Sequence, residues 1–152
     1  MPTITSAEAA AAIRDHHTQL ADGLRTRVID LTTAVRDGGP FESPRDQVVA
    51  YLEAEIVPHA AAEERTIYPA AEDGPAAPLV AAMRDEHVDL IHRVGELRVA
   101  ADAVAAVEGA GAIAALFMSH LGKENDRLIP ALLEMPQVSL GDLLADMHEL
   151  VG

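Results

Sequence analysis

The segment His59-Ala60-Ala61-Ala62-Glu63 constrains this chain more than any other, because it sets a histidine and a glutamate four positions apart. On an α-helix, residues with that spacing lie on one face, about 6 Å apart along the axis. One imidazole and one carboxylate can therefore reach a common metal ion, and the carboxylate can also bridge to a second. The segment predicts a helix whose inner face carries metal-binding side chains.

The same spacing recurs at His120 and Glu124, and the sequence that follows recurs with it. The first pair is followed by Tyr68-Pro69-Ala70, and the second pair is followed, at the same offset, by Ile129-Pro130-Ala131. A recurrence of this extent indicates an internal repeat and not a chance pair.

Apolar residues recur at helical spacing in four long stretches, which glycine and proline signals separate. Predicted helix A runs from a Thr5–Glu8 capping box to Asp37, and predicted helix B runs from a cap at Ser43 to about Ala71. A proline inside a helix removes a backbone hydrogen bond, so Pro58 predicts a bend just before His59.

Predicted helix C begins near Leu79, and predicted helix D passes through His120 to about Glu134. Gly109 and Gly111 are the expected breakers between these two helices. Residues 139–150 predict a short amphipathic helix that packs across one end. We therefore expect residues 1–152 to form one all-α domain, an up-down-up-down four-helix bundle with a short C-terminal helix.

Each of the four helices directs one histidine toward the interior. On helix A, His16 shares a face with Ile13 and Leu20, whereas His17 is turned about 100° away. The inward positions give six candidate metal ligands: His16, His59, Glu63, His87, His120 and Glu124. The remaining histidines, His17, His92 and His148, are interpreted as ordinary polar residues.

These six side chains suit a pair of metal ions. Buried carboxylates are costly unless they are paired or bound to a metal, and the chain has no cysteine. Four imidazoles and two carboxylates without a thiolate favour iron or manganese over calcium or magnesium, and zinc remains open. A single histidine or a single His-x-x-x-Glu pair would carry little weight. The four helices together predict a metal site, with no catalytic residue beyond its ligands.

The formal charge of −14 argues against nucleic acid and anionic membranes as partners, because both require basic surfaces. The N-terminal residues do not show the pattern of a signal peptide, which is a basic start followed by an apolar run. No uninterrupted apolar stretch approaches the roughly 20 residues that span a bilayer. We expect a soluble, cytoplasmic protein with small molecules as ligands. The sequence leaves the oligomeric state open.

The ligand pattern, with Glu63-Glu64 and Tyr68-Pro69 after the first pair and Ile129-Pro130 after the second, resembles the hemerythrin-like, or HHE cation-binding, family. The resemblance implies a four-helix bundle around an oxo- or hydroxo-bridged non-haem di-iron centre that meets dioxygen or its reduction products. By the same resemblance, Glu63 and Glu124 are the bridging carboxylates. It also implies that His16 and His59 bind one iron, and that His87 and His120 bind the other.

Two positions depart from the oxygen-carrying members of that family. Those proteins have a second histidine four residues after the one on helix C, where this chain has Ile91. Their helix-D carboxylate is an aspartate five residues after the histidine, where this chain has Asn125. We therefore expect an open position on each iron, and catalase-like decomposition of hydrogen peroxide in oxidative-stress defence. The alternatives are a protein that binds or senses oxygen or nitric oxide, and one that handles iron.

Overall fold

The computed structural model describes residues 4–151, and within this part of the chain every regular element is helical. The all-α prediction is confirmed. The α-helices are α1 (Ser6–Arg36), α2 (Glu42–Tyr51), α3 (Val57–Arg65), α4 (Ile67–Glu72), α5 (Ala77–Arg98), α6 (Ala103–Lys123), α7 (Ile129–Leu133) and α8 (Leu140–Val151). A π-helical turn, Leu52–Ile56, joins α2 to α3, and a second, Glu124–Leu128, joins α6 to α7.

Helix α1 begins and ends as the sequence predicts. Thr5 caps it, because the backbone N–H of Glu8 donates to Thr5 Oγ1 (3.1 Å) and the Thr5 N–H donates to the Glu8 carboxylate (2.7 Å). The helix ends at Arg36, and Gly38 follows with a φ of 76°, a left-handed conformation that glycine adopts readily.

Predicted helix B is divided into α2, α3 and α4. It begins at Glu42, where no side chain caps it, so the predicted Ser43 cap is wrong. The π-helical turn Leu52–Ile56 ends two residues before Pro58, and the other π-helical turn ends two residues before Pro130. Proline has no N–H and its ring crowds the carbonyl four residues earlier, so a wider turn at these places relieves the clash.

The predicted break at Gly109 and Gly111 is wrong, because both glycines lie inside α6. Helix α5 ends at Arg98, and Asp102 caps α6 by accepting a hydrogen bond from the Ala105 N–H (2.8 Å). An isolated glycine costs a helix only about 1 kcal/mol, which packing against neighbouring helices offsets.

The buried apolar side chains form two separate clusters along the helices. One includes Leu20, Leu24 and Phe117, and the other includes Ile13, Met83 and Leu128. On α1, position 17 falls between Ile13 of one cluster and Leu20 of the other. The interior therefore contains a layer between two apolar clusters, and that layer carries the histidines and glutamates.

Helix α8 confirms the predicted C-terminal helix and packs against α1 and α3. Its apolar face buries Leu140, Leu144 and Met147 in the same apolar cluster as Ile13. The N–H of Leu140 donates to Ser6 Oγ (3.3 Å), so the start of α8 is tied to the start of α1.

By length and composition alone, the continuous helical stretch Ala103–Leu133 could cross a membrane, because a window of 18 residues within it has a mean hydropathy of 1.5. Core helices of soluble proteins pass the same test. In this structure, its first helix, α6, packs against α1 and α5.

Candidate metal centre

Six titratable side chains from different helices converge in the layer between the two apolar clusters. They are buried, with at most 5% of their surface exposed: His17, His59, Glu63, His87, His120 and Glu124. Five of the six side chains that the sequence singles out are therefore brought together. The sixth position is filled by His17 and not by His16.

These side chains form two overlapping groups that could each hold a metal ion. Group 1 consists of His17, His59, Glu63 and Glu124, and group 2 consists of Glu63, His87, His120 and Glu124. Within each group, one ligand atom per residue lies within 4.8 Å of the others. Both groups contain both carboxylates, so each carboxylate can contact two neighbouring cations.

The distances within group 2 suit a metal ion. His87 Nε2 and His120 Nε2 face each other at 3.0 Å, and His120 Nε2 lies 2.5 Å from Glu124 Oε1. Imidazole nitrogens bind first-row metals at about 2.1 Å, so two of them at right angles on one ion lie about 3 Å apart. A fourth atom, Glu63 Oε1, lies 3.7 Å from His87 Nε2.

Group 1 leaves polar atoms without partners. His17 Nε2 lies 3.2 Å from Glu124 Oε2, and His59 Nε2 lies 3.5 Å from Glu63 Oε2. All four atoms are buried, yet none makes a hydrogen bond of good geometry. Buried polar atoms without partners destabilise a fold, and a cation among them would satisfy all four. The residues present therefore fit a metal.

The interior histidine of α1 is His17, so the sequence assignment of His16 to the interior is wrong. His17 is 1% exposed, whereas the His16 side chain is exposed and belongs to neither group. Its ring centroid lies 5.1 Å from that of His59, on the outer side of the centre. Ile13 and Leu20 are within four positions of either histidine, but Leu24, seven residues after His17, is fully buried and fixes the inner face.

Two histidines have outer hydrogen-bond partners that fix their tautomers. The Nδ1–H of His17 donates to Asn125 Oδ1 (2.7 Å), and the Nδ1–H of His87 donates to Glu64 Oε1 (3.1 Å). In the neutral ring that binds a metal, each bond leaves the Nε2 lone pair facing the interior. Near His120, Glu86 Oε2 lies 3.9 Å from Nδ1, and the Lys123 ammonium donates to the other oxygen of Glu86 (2.8 Å).

Tyr68 is a site residue that the sequence analysis missed. Its buried hydroxyl donates to Glu124 Oε1 (3.1 Å) and lies 3.2 Å from His87 Nε2 and 3.1 Å from His120 Nε2. The signal was present in the repeat, because its second copy has Ile129 at the corresponding position. Core packing alone does not require a hydroxyl at this position in the first copy, and the second copy has none.

The charges of the centre shift the pKa values of its members. Burial by itself would lower the pKa of His17, but the carboxylates of Glu124 and Glu63 outweigh it and raise the pKa to about 10. The pKa of His120 is likewise raised, because Glu124 outweighs burial. Burial would raise the pKa of Glu63, yet His59 and the other neighbours hold it well below its usual value. Without a metal, the centre keeps charged carboxylates beside protonated imidazole.

Ile91 does not border the centre. Its side chain is 51% exposed, and the buried stripe of α5 passes through Met83, His87, Leu90 and Val94. Leu90 takes the inward position one residue earlier, which turns Ile91 about 100° away. Position 91 therefore does not face the centre, and the Tyr68 hydroxyl is the additional group that meets His87. The open position on each iron stays a prediction.

The two other histidines that were interpreted as ordinary, His92 and His148, are exposed and outside both groups. His148 lies on α8 and lines a cavity with His16 and His59.

A comparison with protein-family models gives a match over most of the chain. The family model described as the hemerythrin HHE cation binding domain matches residues 8–132, which include all six side chains of groups 1 and 2. No curated protein and no solved structure matched the chain.

Proposed function

This chain belongs to the hemerythrin family of HHE cation-binding domains, and from that premise we propose that it is a non-haem di-iron protein that decomposes hydrogen peroxide. The observation that carries the proposal is the sharing of Glu63 and Glu124 between two groups of possible ligands. Two carboxylates common to both groups suit two adjacent cations better than one.

The proposal includes a four-helix bundle as the scaffold. Its four long members would be α1, the run from α2 to α4, α5, and the run from α6 to α7, with α8 added at one end. The packing of α1 on α2 and α6, and of α5 on α2 and α6, supports this arrangement.

In the proposed centre, His17 and His59 hold one ion and His87 and His120 hold the other. Glu63 and Glu124 contact both. Two iron ions there would supply a centre that can gain and lose two electrons. Manganese could use the same donors, whereas zinc has no redox chemistry.

The chain's own residues orient the ligands and keep a proton in the interior. Asn125 and Glu64 hold the rings of His17 and His87 with Nε2 inward. Burial, together with the charges of Glu63 and Glu124, raises the pKa of Tyr68 far above its usual value. Its hydroxyl therefore keeps its proton at neutral pH, beside Glu124.

The overall reaction needs no further substrate, since two molecules of hydrogen peroxide give two of water and one of dioxygen. One peroxide is oxidised and the other is reduced. The formal charge of −14 favours a small neutral substrate over nucleic acid or an anionic membrane. A role in oxidative-stress defence and a cytoplasmic location are parts of this proposal, and the lack of cysteine agrees with a reducing compartment.

The test measures peroxide consumption and oxygen release by the iron-loaded protein. We expect one dioxygen for every two peroxides, and loss of that activity in Glu124→Ala. Glu108→Ala, which alters an exposed glutamate on the helix α6 that leads into Glu124, is the matched control and should retain the activity. A stable, reversible oxygen adduct with negligible peroxide consumption would contradict the proposal and leave oxygen binding as the function.

A further inference from the structure

A cavity of about 150 Å³ lies between α1, α3 and α8, directly beside group 1. Its deep wall consists of the buried residues Ile13, His59, Leu144 and Met147. Exposed side chains, among them the imidazoles of His16 and His148, line its rim. The space is large enough for several water molecules. The polar side chains that line it are imidazoles, whose nitrogens can bind a metal ion.

His59 connects this cavity to the centre. Its ring lines the cavity, and its Nε2 lies 3.5 Å from Glu63 Oε2 within group 1. The ring of His17 is next to it, with centroids 5.2 Å apart. Only the imidazole ring of His59 would therefore separate a cation in the cavity from the position between His17 and His59.

Group 2 has a different outer layer. Anionic side chains lie behind its imidazoles: Glu64 accepts from His87, and Glu86, held by Lys123, lies near His120. The Tyr68 hydroxyl contacts both imidazoles from the inside. A carboxylate behind a ligating histidine makes the imidazole a stronger donor and holds the metal more tightly.

Within residues 4–151, no carboxylate contacts the outer nitrogen of a group 1 imidazole. The outer partner of His17 is the neutral amide of Asn125, and His59 borders the cavity. The two groups have equal numbers of imidazoles and share both carboxylates, so the difference between them lies in these outer surroundings.

We propose that the two metal positions exchange at different rates, and that the position between His17 and His59 takes up and releases a divalent first-row cation through the cavity under α8. The position between His87 and His120 retains its ion. The acidic chain attracts cations, and the imidazole nitrogens of His16 and His148 at the rim are metal-binding atoms suited to relay one. This inference rests on the proposed pair of ions, and it does not depend on peroxide chemistry.

The test follows the release of Fe(II) from the loaded protein, without oxygen, to an excess of a coloured chelator. We expect two kinetic phases of one ion each. Ala12→Phe places a ring at the cavity rim and should slow the fast phase severalfold while leaving the slow phase unchanged. Ala11→Phe, an exposed neighbour on α1 outside the cavity lining, is the matched control and should change neither phase.

A second variant tests the retained position. Glu64→Gln keeps the shape of the side chain and removes the charge behind His87, so the slow phase should become about tenfold faster and the fast phase should stay the same. Release of both ions in one phase, or equal slowing of both phases by Ala12→Phe, would overturn the inference. Two bound ions without peroxide consumption would contradict the proposed function alone.

Discussion

His17 Nδ1 lies 2.7 Å from the side-chain oxygen of Asn125, although 108 positions separate the two residues in the chain. Asn125 stands where the sequence analysis places the ligand aspartate of oxygen-carrying relatives. Here it orients a histidine from outside. The bond ties α1 to the π-helical turn after α6, and it fixes the tautomer in which His17 Nε2 faces both carboxylates.

Loss of this hydrogen bond should weaken metal binding. Asn125→Leu keeps a side chain of similar size but leaves His17 Nδ1 without an acceptor, so we expect the metal affinity to fall about tenfold. Asn125→Asp keeps the acceptor and should retain or increase the affinity. Competition with a chelator of known affinity measures both variants. Equal affinity in Asn125→Leu and the unaltered protein would show that Asn125 does not position His17.

The metal-free protein should lose stability at alkaline pH through His17. Its pKa in the folded state is raised to about 10 from the ordinary histidine value of 6.5, so the stabilisation is fully present below about pH 6.5 and is lost as the pH rises through about 10. Each kcal/mol lost lowers the melting temperature by about 2–4 °C in a chain of this size. Melting curves at pH 7 and pH 10 test this. The melting temperature of His17→Gln should decrease less between pH 7 and pH 10 than that of the unaltered protein. An identical decrease would show that His17 is not the group responsible.

Removal of the metal should destabilise the fold, because the buried carboxylates of Glu63 and Glu124 then share one interior layer without the cation that both groups could hold. A ligand at about a thousand times its dissociation constant stabilises a protein by about 4 kcal/mol, so chelation should lower the melting temperature by roughly 10 °C. Calorimetry before and after chelation measures it. A melting temperature that chelation leaves unchanged would mean that the centre is stable without a cation.

The Tyr68 hydroxyl should matter to the chemistry more than to the fold. Tyr68→Phe keeps the ring in the core and removes the group that contacts Glu124 and both imidazoles of group 2. We expect the melting temperature to change little and peroxide turnover to fall at least about tenfold. Tyr51→Phe is the matched control, since Tyr51 donates to the Leu20 carbonyl (3.0 Å) away from the centre. Equal turnover in the two variants would remove Tyr68 from the mechanism.

The helical class and five of the six converging side chains could be predicted because the signals are local. The Thr5–Glu8 capping box determines where α1 begins, and two His-x-x-x-Glu pairs determine their own geometry within single helices. Pro58 and Pro130 mark the two π-helical turns, since the missing N–H acts within one turn.

The remaining features depend on packing between helices. His16 and His17 are adjacent, so their side chains point about 100° apart on the helix. Ile13 and Leu20 are compatible with an inner face at either histidine, and the buried Leu24 shows that it is the face of His17. Leu90 and Ile91 pose the same problem on α5. Tyr68 reaches His87 and His120 across the interior, which no periodicity within α4 reveals.

The most direct test of the metal centre is the iron content of His16→Ala and His17→Ala beside the unaltered protein, measured after removal of loosely bound metal. The two histidines are adjacent, so the variants are matched in helix, composition and charge. The proposed di-iron centre predicts two ions per chain in the unaltered protein and in His16→Ala, and at least one ion fewer in His17→Ala, because His17 and not His16 belongs to group 1. Full iron content in His17→Ala together with loss of iron in His16→Ala would contradict the placement of His17 in the metal centre.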